Sequence, residues 1–150
     1  VLTLRRLDIE DAKALIAAAK AKAERIGVSM CIAVTDESGN LIAFERMDGA
    51  KITGINLAID KSYTACGIKK GTHILGEANQ PGKPAHGIAS ALGGRMVVVG
   101  GGLPVFDAGD VVGGIGVSSG TPAQDLEVAQ AGVDAFSNEP SSSSFLRGTT

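Results

Sequence analysis

Residues 93–120 read GGRMVVVGGGLPVFDAGDVVGGIGVSSG. Three short apolar runs are set off by glycine-rich turns, which predicts strands over Met96–Val99, Leu103–Phe106 and Val111–Val117. Ala108-Gly109-Asp110 is a tight reversal between the last two, with glycine supplying a positive φ. Gly100, Gly101 and Gly102, followed by Pro104, let the backbone approach a neighbour with no Cβ in the way. The third run passes into Ser118-Ser119-Gly120-Thr121-Pro122, which reads as a helix start. One segment thus supplies sheet, a bare glycine loop and a helix N-terminus, a combination able to hold a small ligand.

Upstream, Leu7–Ile26 predicts a helix. Asp8 is its N-cap, Glu10 and Asp11 lie in its first turn, and Gly27 stops it. Ile9, Ala12, Leu15, Ile16, Ala19, Ala23 and Ile26 share one face. Val28–Thr35 and Leu41–Arg46 predict antiparallel neighbours joined by the polar turn Asp36–Asn40. Ile52, Ile55, Ile59, Tyr63 and Cys66 recur at helical spacing, giving a second helix over residues 52–69, closed by Gly71. Thr72–Asn79 predicts a short helix capped by Thr72, and Pro81-Gly82-Lys83-Pro84 breaks regular structure. His86–Leu92 matches no period. Downstream, Thr121 at the N-cap, Pro122 at the first helical position and Gln124 two residues on open a last helix over Pro122–Phe136. The order is helix, two strands, one or two helices, three strands, helix. Turns this short exclude parallel crossovers within each strand group. The expected class is α+β, a five-stranded antiparallel sheet with flanking helices, in one domain over residues 1–140 with a Ser-rich flexible tail over 141–150.

Composition narrows the function classes. The 150 residues are 44% hydrophobic but only 3% aromatic, so few stacking platforms exist for single-stranded nucleic acid. Net charge is −2, with no basic run longer than a pair, which argues against a phosphate-backbone footprint. No apolar run reaches membrane-spanning length, and no basic-then-apolar leader opens the sequence. Cys31 and Cys66 are too few for a disulfide framework and read as buried thiols in a reducing, cytoplasmic setting.

Several motifs fail on chemistry. Gly76–Lys83 has five residues between its glycines and Pro84 where a phosphate loop needs Ser or Thr. Gly100–Gly102 precede a strand rather than a helix, unlike a dinucleotide fingerprint. His73 and His86 have no neighbours at zinc-ligand spacing. Arg46 could fork onto a carboxylate with Asp48 as its orienter or as a base, although a surface salt bridge explains both. Lys61 lies off the apolar stripe of its helix and reads as solvated, while packing explains Tyr63 as well as ligation does. Arg95 reads as an edge gatekeeper.

Taken together, Phe44–Ala50 (FERMDGA), Lys61–Ala65 (KSYTA), Gly100–Pro104 (GGGLP), Gly113–Gly120 (GGIGVSSG), Asp125 and Ala129–Gly132 resemble the GlcG/HbpS-like family. The resemblance spans roughly residues 4–137. That family includes heme-binding sensor proteins and the C-terminal domain of the propanediol-utilisation adenosyltransferase. The resemblance implies a profilin-like α+β fold and homo-oligomers, from dimers to octamers.

Two functions follow as expectations, with a third behind them. The first is a small-ligand-binding protein that takes heme, its axial ligand drawn from His73, His86, Tyr63, Met47 and Cys66. The second is a cofactor-independent isomerase, deaminase or hydrolase acting on a small carboxylic acid. There Arg46 and the helix start at Ser118, Ser119 and Thr121 would hold the acid, Gly100–Gly102 would donate N–H groups, and Asp48, Lys61 or His86 would move a proton. The third is an accessory module of a corrinoid or diol-utilisation system, which needs only an exposed apolar patch.

Overall fold

The computed structural model describes residues 1–138, so the expected boundary at 140 and the tail over 141–150 lie outside the described residues. The elements are α1 (Ile9–Ile26), β1 (Cys31–Asp36), β2 (Leu41–Arg46), α2 (Gly54–Ile68), α3 (Thr72–Ala78), a 3-10 stretch (Ile88–Gly94), β3 (Gly102–Asp107), β4 (Asp110–Ser118) and α4 (Pro122–Asn138). The strands form one antiparallel sheet in the order β2-β1-β4-β3.

The end signals of the outer helices work as their chemistry requires. Asp8 and Asp11 exchange side-chain-to-backbone hydrogen bonds at the start of α1, and Gly27 closes it at φ 71°. Thr121 and Gln124 make the same reciprocal pair at the start of α4. Both central residues of the β3–β4 turn have positive φ, Ala108 at 51° and Gly109 at 87°, as a two-residue hairpin that follows the sheet's twist requires.

The sheet has four strands, not five. Met96–Val99 is apolar and rich in β-branched valine, but its backbone groups are taken by threonines on the helices. The Val97 N–H donates to Thr64 Oγ1 at 3.1 Å, and the Val99 carbonyl accepts from Thr72 Oγ1 at 2.6 Å. The segment therefore lies along α2 and α3 instead of joining β3. Thr72 is accordingly not the cap of α3. Gly71 holds that position, and buried Thr72 also accepts the Gly102 N–H at 3.0 Å. Lys69, at φ 60°, ends α2 in place of Gly71.

The two faces of the sheet differ. Ile32, Val34, Ile115 and Val117 pack under α1 and α4 in the main core. Cys31 and Ala33 face α2, where the strand opposite supplies glycine. A Cβ on Gly116 would overlap the Ala58 carbonyl and come within 2.5 Å of the Ser62 nitrogen, and one on Gly114 would sit 2.6 Å from the Ser62 carbonyl. α2 thus lies directly on the backbone of β4. It runs along the sheet from the end near Ser119, where Gly54 packs, to the β1–β2 turn, where Tyr63 packs on Gly39.

Candidate functional site

Because α2 spans the sheet, the candidate residues divide between its two ends. At the first end, strand register puts Arg46, Cys31 and Ser118 in one row across β2, β1 and β4. Arg46 and Asp48 are exposed, and Arg46 makes no ion pair among the described residues. Ser119 Oγ accepts the Lys51 N–H at 2.8 Å, tying the loop after β2 to the end of β4. Met47 turns inward: its sulfur accepts the Met30 N–H at 3.3 Å and it packs on the main core. Thr121 is spent on capping α4.

Lys61 is the largest departure from the sequence reading. It is not solvated but 2% exposed, and its Nζ donates to Asp125 Oδ2 at 2.8 Å and to the Val117 carbonyl at 2.9 Å. Asp125 Oδ1 accepts the Gly120 N–H at 2.9 Å, so both carboxylate oxygens are engaged. Gly101 lies against this pair. At φ 125°, its Cβ would fall 2.5 Å from the Val117 carbonyl and 2.9 Å from Lys61 Nζ. The space left bare by Gly100–Gly102 is filled by this chain's own Lys61, Thr72, Asp125 and Pro122. Among the described residues, no hydrogen bond or ion pair links Asp48, Lys61 and His86. His86 stands exposed beyond α3.

At the other end, a cleft of about 350 Å³ opens between α2, the β1–β2 turn and the 3-10 stretch. Tyr63, Cys66 and Ile68 form one wall, Leu92 and Met96 another, and Glu37–Gly39 the rim. The Arg95 guanidinium sits 3.8 Å from the centroid of the Tyr63 ring, and its Nε donates to Asp60 at 2.9 Å. The Tyr63 hydroxyl has no hydrogen-bond partner among the described residues. Burial pushes the Cys66 thiol up, and Cys66 donates to the Tyr63 carbonyl at 3.3 Å. Of the two histidines, His73 is half-buried, and its Nδ1 is enclosed without a partner. Tyr63 and Cys66 are therefore the two sequence candidates that this cleft brings together. Leu92 and Met96, which line the cleft, and Arg95, which stacks on Tyr63 beside it, were not sequence candidates: Leu92 closed a stretch that matched no period, and Arg95 and Met96 read as a strand and its edge.

On the cleft rim, Glu37 is held by a two-pronged contact from Arg6, at 2.8 and 2.6 Å. That hydrogen bond lowers its carboxyl from 4.5 to about 2. A carboxylate depressed in the folded state stabilises the fold above its unfolded value and loses that contribution as pH falls towards the folded one. Between pH 6 and pH 2, thermal melts of Arg6→Gln and of the parent should therefore converge. The offset above pH 4.5 should be small, since Arg6 is half-exposed and water screens the pair. A constant offset down to pH 2 would show that Arg6 acts by packing alone.

Among the described residues, no helix is long and apolar enough to cross a membrane. Residues 7–134 match the family model described as "Haem degrading protein HbpS-like". An uncharacterized 15.0 kDa protein from the dhaT-dhaS intergenic region of Citrobacter freundii is 41% identical over 126 residues, covering 84% of this chain and 89% of that protein. The corrinoid adenosyltransferase PduO of Salmonella typhimurium is 33% identical over 130 residues, which are 87% of this chain but 39% of PduO. Among solved structures, the Klebsiella pneumoniae protein ORFY superposes with a TM-score of 0.90 at 34% identity, over 93% of this chain and 97% of ORFY. The PduOC:heme complex superposes with a TM-score of 0.83 at 33% identity, over 87% and 94% of the two chains. An antiparallel sheet clasped between α1/α4 and α2, matched along nearly its whole length, places this chain in the HbpS-like family.

Proposed function

We propose that the protein binds heme, in the cleft beside Tyr63. The observation that carries this reading is the donor set of the cleft. Tyr63, whose hydroxyl has no protein partner among the described residues, lines this cleft together with Ile68, Leu92 and Met96. Phenolate oxygen is an established type of axial heme ligand, and an apolar slot of this size suits one edge of a planar macrocycle. The similarity to the PduOC:heme complex supports the same ligand class. The other candidates suit iron less well. A buried thiol stays protonated, whereas iron takes the thiolate. Met47 sulfur is engaged inside the core. His73 has no acceptor for its enclosed Nδ1, and ligating histidines nearly always have a partner for the second ring nitrogen.

In this reading Tyr63 would hold the iron, and Leu92 and Met96 would supply apolar contact to the macrocycle. Gly39 and Arg95 fix the phenol ring between the hairpin turn and the 3-10 stretch. Bound heme would supply the capacity for one-electron and dioxygen chemistry.

Titration with hemin, followed at the Soret band, tests the assignment. The parent should saturate at one heme per chain. Tyr63→Phe keeps the ring packing and removes only the hydroxyl. It should weaken binding by at least about tenfold, since even outer-shell losses cost roughly 10–100-fold at metal sites. A His73→Ala/His86→Ala variant should bind like the parent. Unchanged affinity and band position in Tyr63→Phe, with loss in the histidine variant, would move the iron to an imidazole.

A further inference from the structure

We propose that Arg95, stacked on Tyr63 beside this cleft, is the carboxylate anchor for a ligand held there, so that the protein selects planar ligands bearing acidic side chains. The inference rests on the heme reading above and names the group that would recognise the propionate edge. Arg95 is not itself a lining residue; in sequence it falls between the wall residues Leu92 and Met96, and it stacks on Tyr63, which lines the cleft. It is held from three directions. Its backbone carbonyl accepts from Thr64 Oγ1 at 2.9 Å, its Nε donates to Asp60, and its guanidinium plane rests on Tyr63.

A guanidinium carries five N–H groups in a fixed fork. Only the Nε–H is committed among the described residues, and the side chain is 43% exposed. The terminal nitrogens are therefore free to take a carboxylate bidentately, on a side chain whose position is already set. The surrounding charges permit this. Glu37 on the rim is bound by Arg6, which also reaches Asp36 at 3.6 Å, and Asp60 engages Arg95 only through Nε. Exposed Lys69 and Lys70 just past α2 add positive charge near this end of the helix.

The test separates the carboxylates from the ring. The parent, Arg95→Gln and Arg95→Lys would each be titrated with iron(III) protoporphyrin IX and with its dimethyl ester, both delivered from the same organic stock. Circular dichroism would confirm that the variants are folded. The parent should bind the diacid about tenfold or more tighter than the diester, the expected weight of a charge-assisted bidentate contact. Arg95→Gln should erase that difference by weakening the diacid alone. Arg95→Lys, which keeps the charge but not the fork, should fall between. Equal weakening of both porphyrins in Arg95→Gln would mean that Arg95 acts by packing on Tyr63 and would overturn the anchor. So would an unchanged preference for the diacid. A parent that binds neither porphyrin would instead overturn the heme reading and the anchor with it.

Discussion

Lys61→Met should destabilise the protein by about 3–5 kcal/mol, the usual cost of leaving one charge of a buried pair without its partner. The variant keeps a long unbranched side chain in the same slot but leaves Asp125, 2% exposed, facing an apolar thioether. Against a total stability of roughly 5–15 kcal/mol, such a loss should lower the melting temperature by about 10 °C or more. A second substitution turns this into a test of cause. Asp125→Asn removes the charge while its carbonyl oxygen can still accept the Gly120 N–H. Lys61→Met/Asp125→Asn should therefore recover more than half of the loss. Urea denaturation of the four proteins gives the coupling energy directly. A single-variant cost below about 1 kcal/mol, or simple additivity, would mean that water reaches the pair and that the pair does not fasten α4 to α2. In the folded protein the Lys61 ammonium already donates to Asp125 and to the Val117 carbonyl inside the core. That environment suits a cross-brace between helices better than the proton carrier expected from sequence.

The misreading of Lys61 shows where pattern reading loses its grip. Ile55, Ile59 and Tyr63 mark the stripe of α2 that turns towards β2, and Lys61 is off it. That stripe is half-buried, whereas a second one at the same helical spacing, Gly54, Ala58, Lys61 and Ala65, is fully buried. Its residues are small, so hydropathy gives it little weight, and a lysine within it looks like solvent contact. The useful signal was a long cation placed among Gly and Ala, with an acidic residue four positions beyond Thr121 to answer it. The hairpin of β1 and β2, the caps of α1 and α4 and the β3–β4 turn were legible because local chemistry decides them. Met96–Val99 was not, because its backbone partners are Thr64 and Thr72, on separate helices. The cleft was half legible for the same reason. Tyr63 and Cys66 sit on a recognisable helix, whereas Leu92 and Met96 reach them only after the chain has wrapped round α2.

Two glycine substitutions should then have opposite signs on elements in direct contact. Gly116→Ala adds a methyl that would overlap the Ala58 carbonyl and sit 2.5 Å from the Ser62 nitrogen, both backbone atoms of α2. Rotamer changes cannot relieve backbone contacts. Overpacking ordinarily costs about 1–3 kcal/mol, and here the rigid neighbours put the expected loss at or above the top of that range. Gly116 is paired on both sides, with Ala33 on β1 and Gly102 on β3, so the strand cannot move away without breaking two ladders. Gly67→Ala is the control. Gly67 lies near the end of α2, exposed, with no atom within 4 Å of the added Cβ. It should stabilise the protein by about 0.5–1 kcal/mol, the entropy that glycine loses in a helix. Urea midpoints measure both. A Gly116→Ala cost under 1 kcal/mol would show that α2 can lift from the sheet without penalty. The same seating sets the cleft, because Tyr63 and Cys66 are carried on α2 while Glu37–Gly39 belong to the sheet's own hairpin. Any Gly116→Ala protein that does fold should therefore hold α2 further from β4 and bind hemin more weakly than the parent.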